Sequence, residues 1–393
     1  MKESIVIVSA ARTPMGGFQG DFSSVSASEL GAVAVREVVS RAGIAPEQVD
    51  ELLFGNCLMA GQGQAPARQA ALKGGLPASV NCTTLSKMCG SGMKTIMLGH
   101  DMLKAGNNCM VIAGGMESMT NAPYLLPKAR GGYRLGHGEL KDHMFLDGLE
   151  DAYHPGRLMG TYAEDTASHY GFTRGQQDEF AMTSLARAQA AIKQGRFKAE
   201  IVPVTVSGRK GDMVIADDEQ PGKANPDKIP QLKPAFRKDG TVTPANSSSI
   251  SDGAAAVLLM RESDALAAGI KPLARIIAHT THAQEPAWFT TAPVGAIQKL
   301  LDKTGWSVAD IDLFEINEAF AVVTMAAMRE LAIPHDKVNI HGGACALGHP
   351  IGASGARIVV SLIYALQQYG KQRGVASLCI GGGEATAIGI ELI

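Results

Sequence analysis

The chain has 393 residues, of which 46% are hydrophobic and 19% are charged, a composition typical of globular proteins with large buried cores. This length exceeds what one compact core usually holds, so we expect two or three domains. The net charge of −2, from 36 basic and 38 acidic residues, argues against nucleic acid or an anionic membrane as a partner. No stretch has the ~18 uninterrupted apolar residues of a membrane-spanning helix.

The cysteines and the first residues indicate the compartment. The start, MKESIVIVSAARTP, is typical of a strand and a turn and unlike a signal or transit peptide. Six cysteines occur without a CxxC pair or short even spacing, which argues against a disulfide framework or a zinc ribbon. We therefore expect a cytoplasmic protein with reduced cysteines. Four of the cysteines are predicted to be core residues: Cys57, Cys82, Cys109 and Cys345.

Strands and helices alternate in the first 118 residues. The capping box Ser26-x-x-Glu29 predicts the start of a helix that stops at Gly43, and Cys89 begins a later one. The predicted strands of this region lie at 4–10, 51–56 and 107–115. This alternation predicts an α/β fold with a mostly parallel sheet covered by helices on both faces.

Residues 119–251 interrupt the alternation with glycine, proline and polar clusters. They contain one clear predicted helix, which opens at the Thr173-x-x-Gln176 box and closes at Gly195. We interpret this region as an inserted loop-rich domain, a kind of segment that commonly lines a site or an oligomer contact. The chain then returns to the first core through a strand that follows Ser251.

The last third of the chain repeats the order of the first. Three pairs of landmarks are separated by nearly constant offsets of 261, 263 and 268 positions: Asn56 and Asn317, Gly92 and Gly355, Gly115 and Gly383. We infer two duplicated βαβα-type halves, packed as a pseudo-symmetric pair. The predicted domains are 1–118 plus 252–271, the insertion 119–251, and 272–393.

Cys89 lies at a glycine-rich corner where a polar strand meets a helix. Unpaired N–H groups and the positive end of the helix dipole favour thiolate there, so Cys89 is a candidate nucleophile. The alternative is a small buried thiol, since free cysteine is among the most buried residue types.

In a duplicated fold the loops at the strand ends face one crevice, and polar residues in those loops become candidates for the site. Besides Cys89 they are Asn317, His349 and Cys379, a set that suits acyl transfer through a thioester. Each has an alternative: His349 as a structural histidine, Cys379 as a core residue, and Asn317 as a helix cap. A Cys/Cys/His metal site is disfavoured because no ligand pair shares a turn or knuckle, and no metal is expected.

Six motifs together closely resemble the thiolase family over essentially the whole chain. They are MCGSGMK at 88–94, AGGMESM at 113–119, GRKGD at 208–212, NEAF at 317–320, GHPIGASGAR at 348–357 and CIGGG at 379–383. The resemblance is to the short-chain acetyl-CoA acetyltransferases of that family. It implies a five-layer αβαβα fold, reversible condensation of two acetyl-CoA with coenzyme A and acetyl-CoA as substrates, and no cofactor. It also implies a homotetramer, a dimer of dimers, with residues 123–147 as candidate contacts.

The resemblance also implies a role for each polar loop residue. Cys89 is the nucleophile that becomes acylated, and His349 accepts its proton and donates to a thioester oxygen. Asn317 holds a water that completes this first oxyanion hole, and Cys379 moves the proton of the acetyl methyl group. The main-chain N–H groups of Cys89 and Gly381 form the second oxyanion hole.

The positions that bind coenzyme A in the family match this chain less completely than the catalytic positions do. Ser248 corresponds to a residue that bonds pantetheine, and Met159 and Phe289 should line the thioester pocket. The chain departs from the family at Leu158, where histidine is common, and near Pro221, where an arginine is common. Two lysines could supply the missing charge, Lys223 or Lys228. A further departure is His341, where asparagine is usual.

Other functions stay open. A broader-range 3-ketoacyl-CoA thiolase differs only in the acyl chain it accepts. A ketoacyl synthase typically needs a second histidine where NEAF stands and has no cysteine before the final GGG. A non-catalytic acyl-CoA or lipid carrier would be expected to lack catalytic residues that this chain has.

Overall fold

The computed structural model describes residues 3–209 and 211–393. Lys210, within the GRKGD motif, lies outside the described residues. The helices are α1 Ala27–Ala42, α2 Pro66–Lys73, α3 Ser91–Ala105, α4 Met159–Tyr170, α5 Arg174–Lys193, α6 Glu219–Lys223, α7 Glu262–Ala267, α8 Ala292–Thr304, α9 Ala321–Glu330, α10 Ala344–Leu347 and α11 Ile351–Gln368. The strands are β1 Ile5–Arg12, β2 Gly16–Gly17, β3 Glu51–Gly55, β4 Asn81–Leu85, β5 Met110–Ser118, β6 Tyr124–Leu125, β7 Lys141–Asp142, β8 Val204–Gly208, β9 Gly211–Ile215, β10 Ser251–Arg261, β11 Ala274–Ala283, β12 Leu313–Ile316, β13 Arg373–Ile380 and β14 Glu384–Leu392.

Local signals place the first elements where the sequence predicts them. The Ser26 hydroxyl accepts a hydrogen bond from Glu29 N–H at 3.3 Å and so caps α1. Gly43 ends the helix with a φ of 65°, a left-handed conformation that glycine adopts without steric cost. The capping box at Thr173 likewise opens α5.

Ten strands form one sheet in the order β12-β13-β14-β11-β1-β10-β5-β3-β4, with β2 paired to β10. In the first half, β3 is parallel to β4 and β5, and β10 is antiparallel to β5 and β1. The second half repeats this arrangement, since β12 is parallel to β13, and β14 is antiparallel to β13 and β11. Where β4 would have its counterpart, Val338 forms a single parallel bridge with Phe314. The repeated order is the topology expected of a duplicated chain.

The prediction of a mostly parallel sheet is wrong, because the sheet is mixed. After β13 the chain turns at Gly381–Gly383 and returns beside it as β14, and strands joined by so short a turn must be antiparallel. The two halves also meet antiparallel, through three residue pairs between β1 and β11.

Hydrophobic side chains divide the molecule into five layers, as the α/β prediction of an αβαβα fold requires. Along β1, Val6 and Val8 face an outer cluster with α1, whereas Ile5 and Ile7 face the central helices α3 and α11. The central cluster also takes apolar residues from β12, β13 and β14 of the second half. Helix α8 covers the far side of that half. The order is therefore helix, first half of the sheet, central helices, second half of the sheet, helix, since the two halves of the ten-stranded sheet both pack on α3 and α11.

The two central helices touch near their N-termini. A Cβ on Gly92 would lie 2.8 Å from the main-chain N of Ala356, and one on Gly355 would collide with the main-chain N of Met93. Glycine at these two positions lets the backbones approach directly. The N-termini of these two corresponding helices therefore lie side by side, as expected if the loops of the two halves face one crevice.

Residues between β5 and β10 supply no strand to the ten-stranded sheet, Lys210 aside. They hold α4 and the short α6 as well as α5, so the expectation of one clear helix is incomplete. The assignment of this region as a separate domain, and the other domain bounds, stay predictions.

Two further observations bear on the sequence predictions. Cys109 is exposed, so the prediction that it belongs to the core is wrong. Cys57 and Cys82 are partly buried and pack against hydrophobic core clusters, and Cys345 is partly buried as well. Among the described residues, every helix is too short or too polar to cross a membrane.

Candidate active site

Cys89 lies in a tight corner between β4 and α3, two residues before the helix begins. Met88 before it has a φ of 47°, a strained conformation for a side chain of this size. The Ser91 hydroxyl stabilises the corner, since it accepts from Lys87 N–H at 2.8 Å and donates to the Met88 carbonyl at 2.6 Å. The predicted strand-to-helix corner is confirmed, although the helix starts at Ser91 and not at Cys89.

The surroundings of Cys89 favour the thiol, so the expectation of a thiolate is wrong. Burial raises the pKa of the Cys89 thiol to about 11. The main-chain N–H groups of Gly381 and of Cys89 itself lower that pKa, but less than burial raises it. These two N–H groups are too weak to prevail over burial, so a base must take the thiol proton.

His349 lies two residues before α11 and is buried. Its Nδ1 is 2.5 Å from Ser354 Oγ, and the Ser354 hydroxyl donates to the Pro350 carbonyl at 2.9 Å. Because the serine proton is used on Pro350, Ser354 Oγ accepts from the imidazole Nδ1–H, which leaves the lone pair on Nε2. Among the described residues Nε2 has no hydrogen-bond partner. It is therefore available to a substrate or to the thiol.

The charge state of His349 suits a proton acceptor. Burial, with a smaller contribution from Arg357, lowers the pKa of the imidazole to about 3. The ring is therefore neutral at pH 7. A neutral imidazole with one free nitrogen is the form that a general base requires.

Asn317 and Cys379 lie at the ends of the neighbouring strands β12 and β13, and both are buried. Neither polar atom of the Asn317 amide has a partner within residues 3–209 and 211–393, an arrangement that leaves it able to hold a water. Helix α9 begins at Ala321 with Phe320 as its N-cap, so the helix-cap alternative for Asn317 is wrong.

Cys379 packs in a cluster that includes Tyr162, Phe289 and Phe320. Burial, and then the neighbouring Cys89, raise the pKa of the Cys379 thiol well above its ordinary value. The two thiols are thus close enough for the charge of one to affect the other.

One cavity of about 460 Å³ collects most of the predicted site residues. Those that line it are Cys89, Leu158, Met159, Ser248, Phe289, His349 and Gly381. Asn317 and Cys379 do not line it directly, but Cys379 belongs to the same apolar cluster as Phe289 and Phe320, which do. The remaining wall is largely apolar, with Phe236 and Ile351 among its members. A cavity of this kind suits a small ligand, which excludes water from the thiol and the imidazole once it is bound.

The family is decided by two sequence models that together span nearly the whole chain. The model described as "Thiolase, N-terminal domain" matches residues 5–263, and "Thiolase, C-terminal domain" matches residues 270–392. The chain belongs to the thiolase family.

Individual thiolases are similar to the chain throughout. The acetyl-CoA acetyltransferase of Escherichia coli is 51% identical over 392 residues, with 99% of each chain covered. That of Allochromatium vinosum is 47% identical over 393 residues, with both chains covered completely. The crystal structure of the Bacillus anthracis acetyl-CoA acetyltransferase has a TM-score of 0.97 at 42% identity and covers 100% of this chain and 99% of its own. The Acat5 thiolase from Ascaris suum, in complex with coenzyme A, has a TM-score of 0.94 at 42% identity, with 99% and 100% covered.

A second cavity, of about 310 Å³, adjoins the first and shares Pro244 and Ser249 with it. Lys223 and Lys228 line this second cavity and not the cavity of Cys89. The Lys223 ammonium is paired with the Glu219 carboxylate. Lys228 is exposed and forms no ion pair within the described part of the chain, so it is the better placed of the two for an anionic ligand.

Sequence reasoning missed two residues that orient the site. Ser354 stands in the quoted GHPIGASGAR motif, but its bond to His349 was not predicted. A signal exists, because Ser354 and Ser91 are separated by 263 positions, the offset that relates Gly92 to Gly355.

Glu117 is the other missed residue. Its buried carboxylate accepts hydrogen bonds from Asn56 Nδ2 at 2.7 Å, Gly352 N–H at 2.9 Å and Cys57 N–H at 3.0 Å. It thereby joins a loop of the first half to the start of α11, and burial raises its pKa to about 7. The AGGMESM motif is therefore structural support for the approach of the two halves.

Proposed function

We propose that the chain is an acetyl-CoA C-acetyltransferase, which reversibly condenses two acetyl-CoA molecules to acetoacetyl-CoA and CoA through an S-acetyl-Cys89 intermediate. The observation that carries this proposal is the meeting of the Cys89 thiol, the Gly381 N–H and a neutral His349 with a free Nε2 at one apolar cavity. The names of the relatives support acetyl-CoA as the substrate. No cofactor enters the chemistry.

In the first half-reaction, the Cys89 sulfur attacks the thioester carbon of acetyl-CoA while His349 Nε2 accepts the thiol proton. The oxyanion that forms is bound by the N–H groups of Cys89 and Gly381, which already face the sulfur. When the carbon–sulfur bond to CoA breaks, the leaving thiolate takes the proton of Cys379. The site then holds acetyl-Cys89, an imidazolium and a Cys379 thiolate.

In the second half-reaction, a second acetyl-CoA binds and the Cys379 thiolate removes a proton from its methyl group. The enolate oxygen accepts hydrogen bonds from the His349 imidazolium and from a water held by Asn317. The enolate carbon then attacks acetyl-Cys89, and the second oxyanion is again bound by the N–H groups of Cys89 and Gly381. Collapse releases acetoacetyl-CoA, and the Cys89 thiolate recovers its proton from His349.

Coenzyme A would occupy both adjoining cavities. Ser248 is polar at the wall of the first cavity and suits an amide of the pantetheine, while Leu158, Met159 and Phe289 surround the acyl end. The second cavity would take the phosphates, with Lys228 rather than the paired Lys223 as the cation.

Replacement of Lys228 by Ala should raise the KM for acetyl-CoA severalfold, whereas the matched Lys223→Ala should change it less. An equal effect of the two substitutions would contradict the assignment.

The inserted region 119–251 would serve both coenzyme A binding and assembly into a cytoplasmic homotetramer. Apolar side chains in and near the 123–147 segment are exposed in the single chain, with Leu135 97% and Leu140 67% accessible. Exposed apolar patches of this kind commonly mark protein contacts. Sedimentation of a stable, active monomer would remove this part of the proposal.

The direct test is thiolysis of acetoacetyl-CoA, followed by the absorbance of its magnesium enolate. The wild-type chain should consume the signal when CoA is added. Cys89→Ser should leave the signal unchanged, and the matched Cys109→Ser, at an exposed cysteine outside the site, should behave as wild type. A wild-type chain that binds acetoacetyl-CoA without consuming it would be a carrier and would overturn the proposal.

Acyl-chain length separates the proposal from a broader-range 3-ketoacyl-CoA thiolase. Phe236, Phe289 and Phe320 all line the cavity of Cys89 and limit the room beyond the acetyl group. The value of kcat/KM should therefore fall from four to six to eight acyl carbons. A preference for the longest substrate would favour the broader-range enzyme.

A further inference from the structure

Three metal-ligating side chains converge outside the cavity of Cys89. His100 and Asp101 lie near the end of α3, and His279 lies on β11. His100 Nδ1 is 2.9 Å from Asp101 Oδ1, His279 Nε2 is 3.0 Å from the same oxygen, and the two nitrogens are 3.2 Å apart. Sequence spacing gives no sign of this cluster, because His279 follows Asp101 by 178 positions.

The triangle has the size of one face of a metal coordination shell. With ligand bonds of about 2.1 Å, neighbouring ligand atoms lie about 3.0 Å apart in an octahedron and about 3.4 Å apart in a tetrahedron. The three observed edges fall in or next to that range. A purely hydrogen-bonded cluster explains the shape less well, because two N–H groups would then crowd one carboxylate oxygen with their nitrogens only 3.2 Å apart.

We propose that His100, Asp101 and His279 bind one divalent transition-metal ion of the Zn²⁺ class. Two imidazole nitrogens and a carboxylate oxygen are ligands that such ions prefer, and hard cations such as Mg²⁺ prefer oxygen alone. The imidazole side chains are 9% and 12% exposed and the Asp101 side chain is 56% exposed. Water therefore has access on the Asp101 side to complete the coordination shell.

The charges around the three side chains determine how tightly a metal ion would bind. Histidine binds a metal as the neutral imidazole, so of the three ligands only Asp101 brings a negative charge to the ion. Lys104 faces His100, and Lys94 and Lys303 face His279, so positive charges oppose the incoming cation. We expect micromolar affinity rather than the much tighter binding of a closed structural zinc site.

A metal here would join the two halves of the molecule, since α3 belongs to the first half and β11 to the second. His100 lies about 14 Å along the helix axis from the start of α3, so the ion would not touch the reacting atoms. The expected consequence is a more stable chain with an unchanged rate of turnover.

The test is titration of the chelator-treated full chain with Co²⁺, followed by visible absorbance, and with Zn²⁺, followed by the unfolding midpoint. We expect one Co²⁺ per chain at micromolar concentration, with visible bands and without the intense near-ultraviolet band that marks thiolate ligands. Zn²⁺ should raise the unfolding midpoint because it binds the folded state. His279→Ala and Asp101→Asn should each weaken Co²⁺ binding at least tenfold, whereas the matched His137→Ala, at an exposed histidine, should not.

Circular dichroism and the rate of acetoacetyl-CoA thiolysis establish that each variant is folded. Should His279→Ala fail to fold, Asp101→Asn decides, since its side chain is half exposed and nearly isosteric. Unchanged Co²⁺ affinity in the folded variants, a strong sulfur charge-transfer band, or no saturable binding would each overturn the proposal.

Discussion

The corners that carry Cys89 and His349 occupy corresponding ends of the two halves, yet each half stabilises its reactive group differently. Each group stands two residues before a central helix, and each corner depends on a serine at the duplicated positions 91 and 354. Ser91 bonds two main-chain atoms of the corner, lies 3.3 Å from the Cys57 sulfur, and holds the corner in shape. Ser354 bonds the imidazole itself and selects its tautomer. The duplicated serine thus fixes the backbone at the Cys89 corner and fixes the orientation and tautomer of the side chain at the His349 corner.

The reactive groups of the two corners are alike in that both are uncharged before substrate binds. Burial raises the pKa of the Cys89 thiol to about 11 and lowers that of His349 to about 3. Both groups are therefore neutral across the physiological range, and no thiolate–imidazolium pair exists before substrate binds. On these pKa shifts, we expect charge to form only when the thioester carbon and the two oxyanion N–H groups are in place.

Removing the base should have the largest effect. Replacement of His349 by Asn deletes the free Nε2, so kcat/KM for thiolysis should fall by about 10²–10⁴-fold. The matched variant is His341→Asn, since His341 is also buried in the second half but packs against Phe197 and does not line the cavity. Its rate should stay within about threefold of wild type on these grounds. Equal losses in both variants would mean that His349 acts only in packing.

The charge state of Cys89 can be read from alkylation. A thiol with a pKa of about 11 gains thiolate tenfold per pH unit below that value, so labelling by iodoacetamide should rise by about 100-fold between pH 7 and pH 9. Peptide mapping separates Cys89 from the exposed Cys109, which reports on the reagent in the same sample. A labelling rate independent of pH over this range would indicate a preformed thiolate and would contradict the statement that both groups are neutral before substrate binds.

The two serines should separate rate from stability. Ser354→Ala leaves Nδ1–H without its acceptor and frees the imidazole to change tautomer, so kcat should fall by about tenfold to 100-fold with KM little changed. Ser91→Ala removes two main-chain hydrogen bonds from the corner and the contact with Cys57 Sγ, and it should mainly lower the free energy of unfolding, by about 1–3 kcal/mol. Steady-state kinetics and urea unfolding of both variants measure the difference. The reverse assignment of effects would contradict the account of the corners.

The contact between the corners should give the smallest effect. A Cβ at Gly355 would collide with the Met93 main chain, so Gly355→Ala should destabilise the chain by about 1–3 kcal/mol. Gly175 offers the matched control, because it is an exposed glycine near the start of α5 with open space around it. Gly175→Ala should stabilise the helix by a few tenths of a kcal/mol to about 1 kcal/mol. Urea unfolding of the two variants in opposite directions would support direct backbone contact between α3 and α11, and no loss for Gly355→Ala would contradict it.

Local signals account for what the sequence predicts well. The cap residues of α1 and α5, the apolar strand runs and the glycine-rich corners each depend on a few neighbouring residues. The duplication is visible because Gly92 and Gly355 must be glycine for the same steric reason, which preserves their spacing. The α/β class and the convergence of Cys89 and His349 on one cavity follow from these signals, whereas the five layers and the part of Gly381 were expected only from the resemblance to thiolases.

Local signals could not predict the features that depend on how distant parts of the chain come together. The directions of β10 and β14 depend on how distant segments return to the sheet, so the sheet is mixed where a parallel one is predicted. The pKa of Cys89 depends on burial by residues from both halves, which outweighs the local N–H groups. Lys223 and Lys228 are equal candidates in the sequence for binding an anionic ligand. They differ in the structure because Lys223 is paired with Glu219.

The central claim is that acyl transfer passes through Cys89 with His349 as the base. Peptide mass spectrometry of the chain after a brief exposure to acetyl-CoA tests it directly. The account predicts one acetyl group, on the peptide that contains Cys89, with formation slowed in His349→Asn and absent in Cys89→Ser. An acetyl group on Cys379 instead, or full turnover in Cys89→Ser, would contradict it.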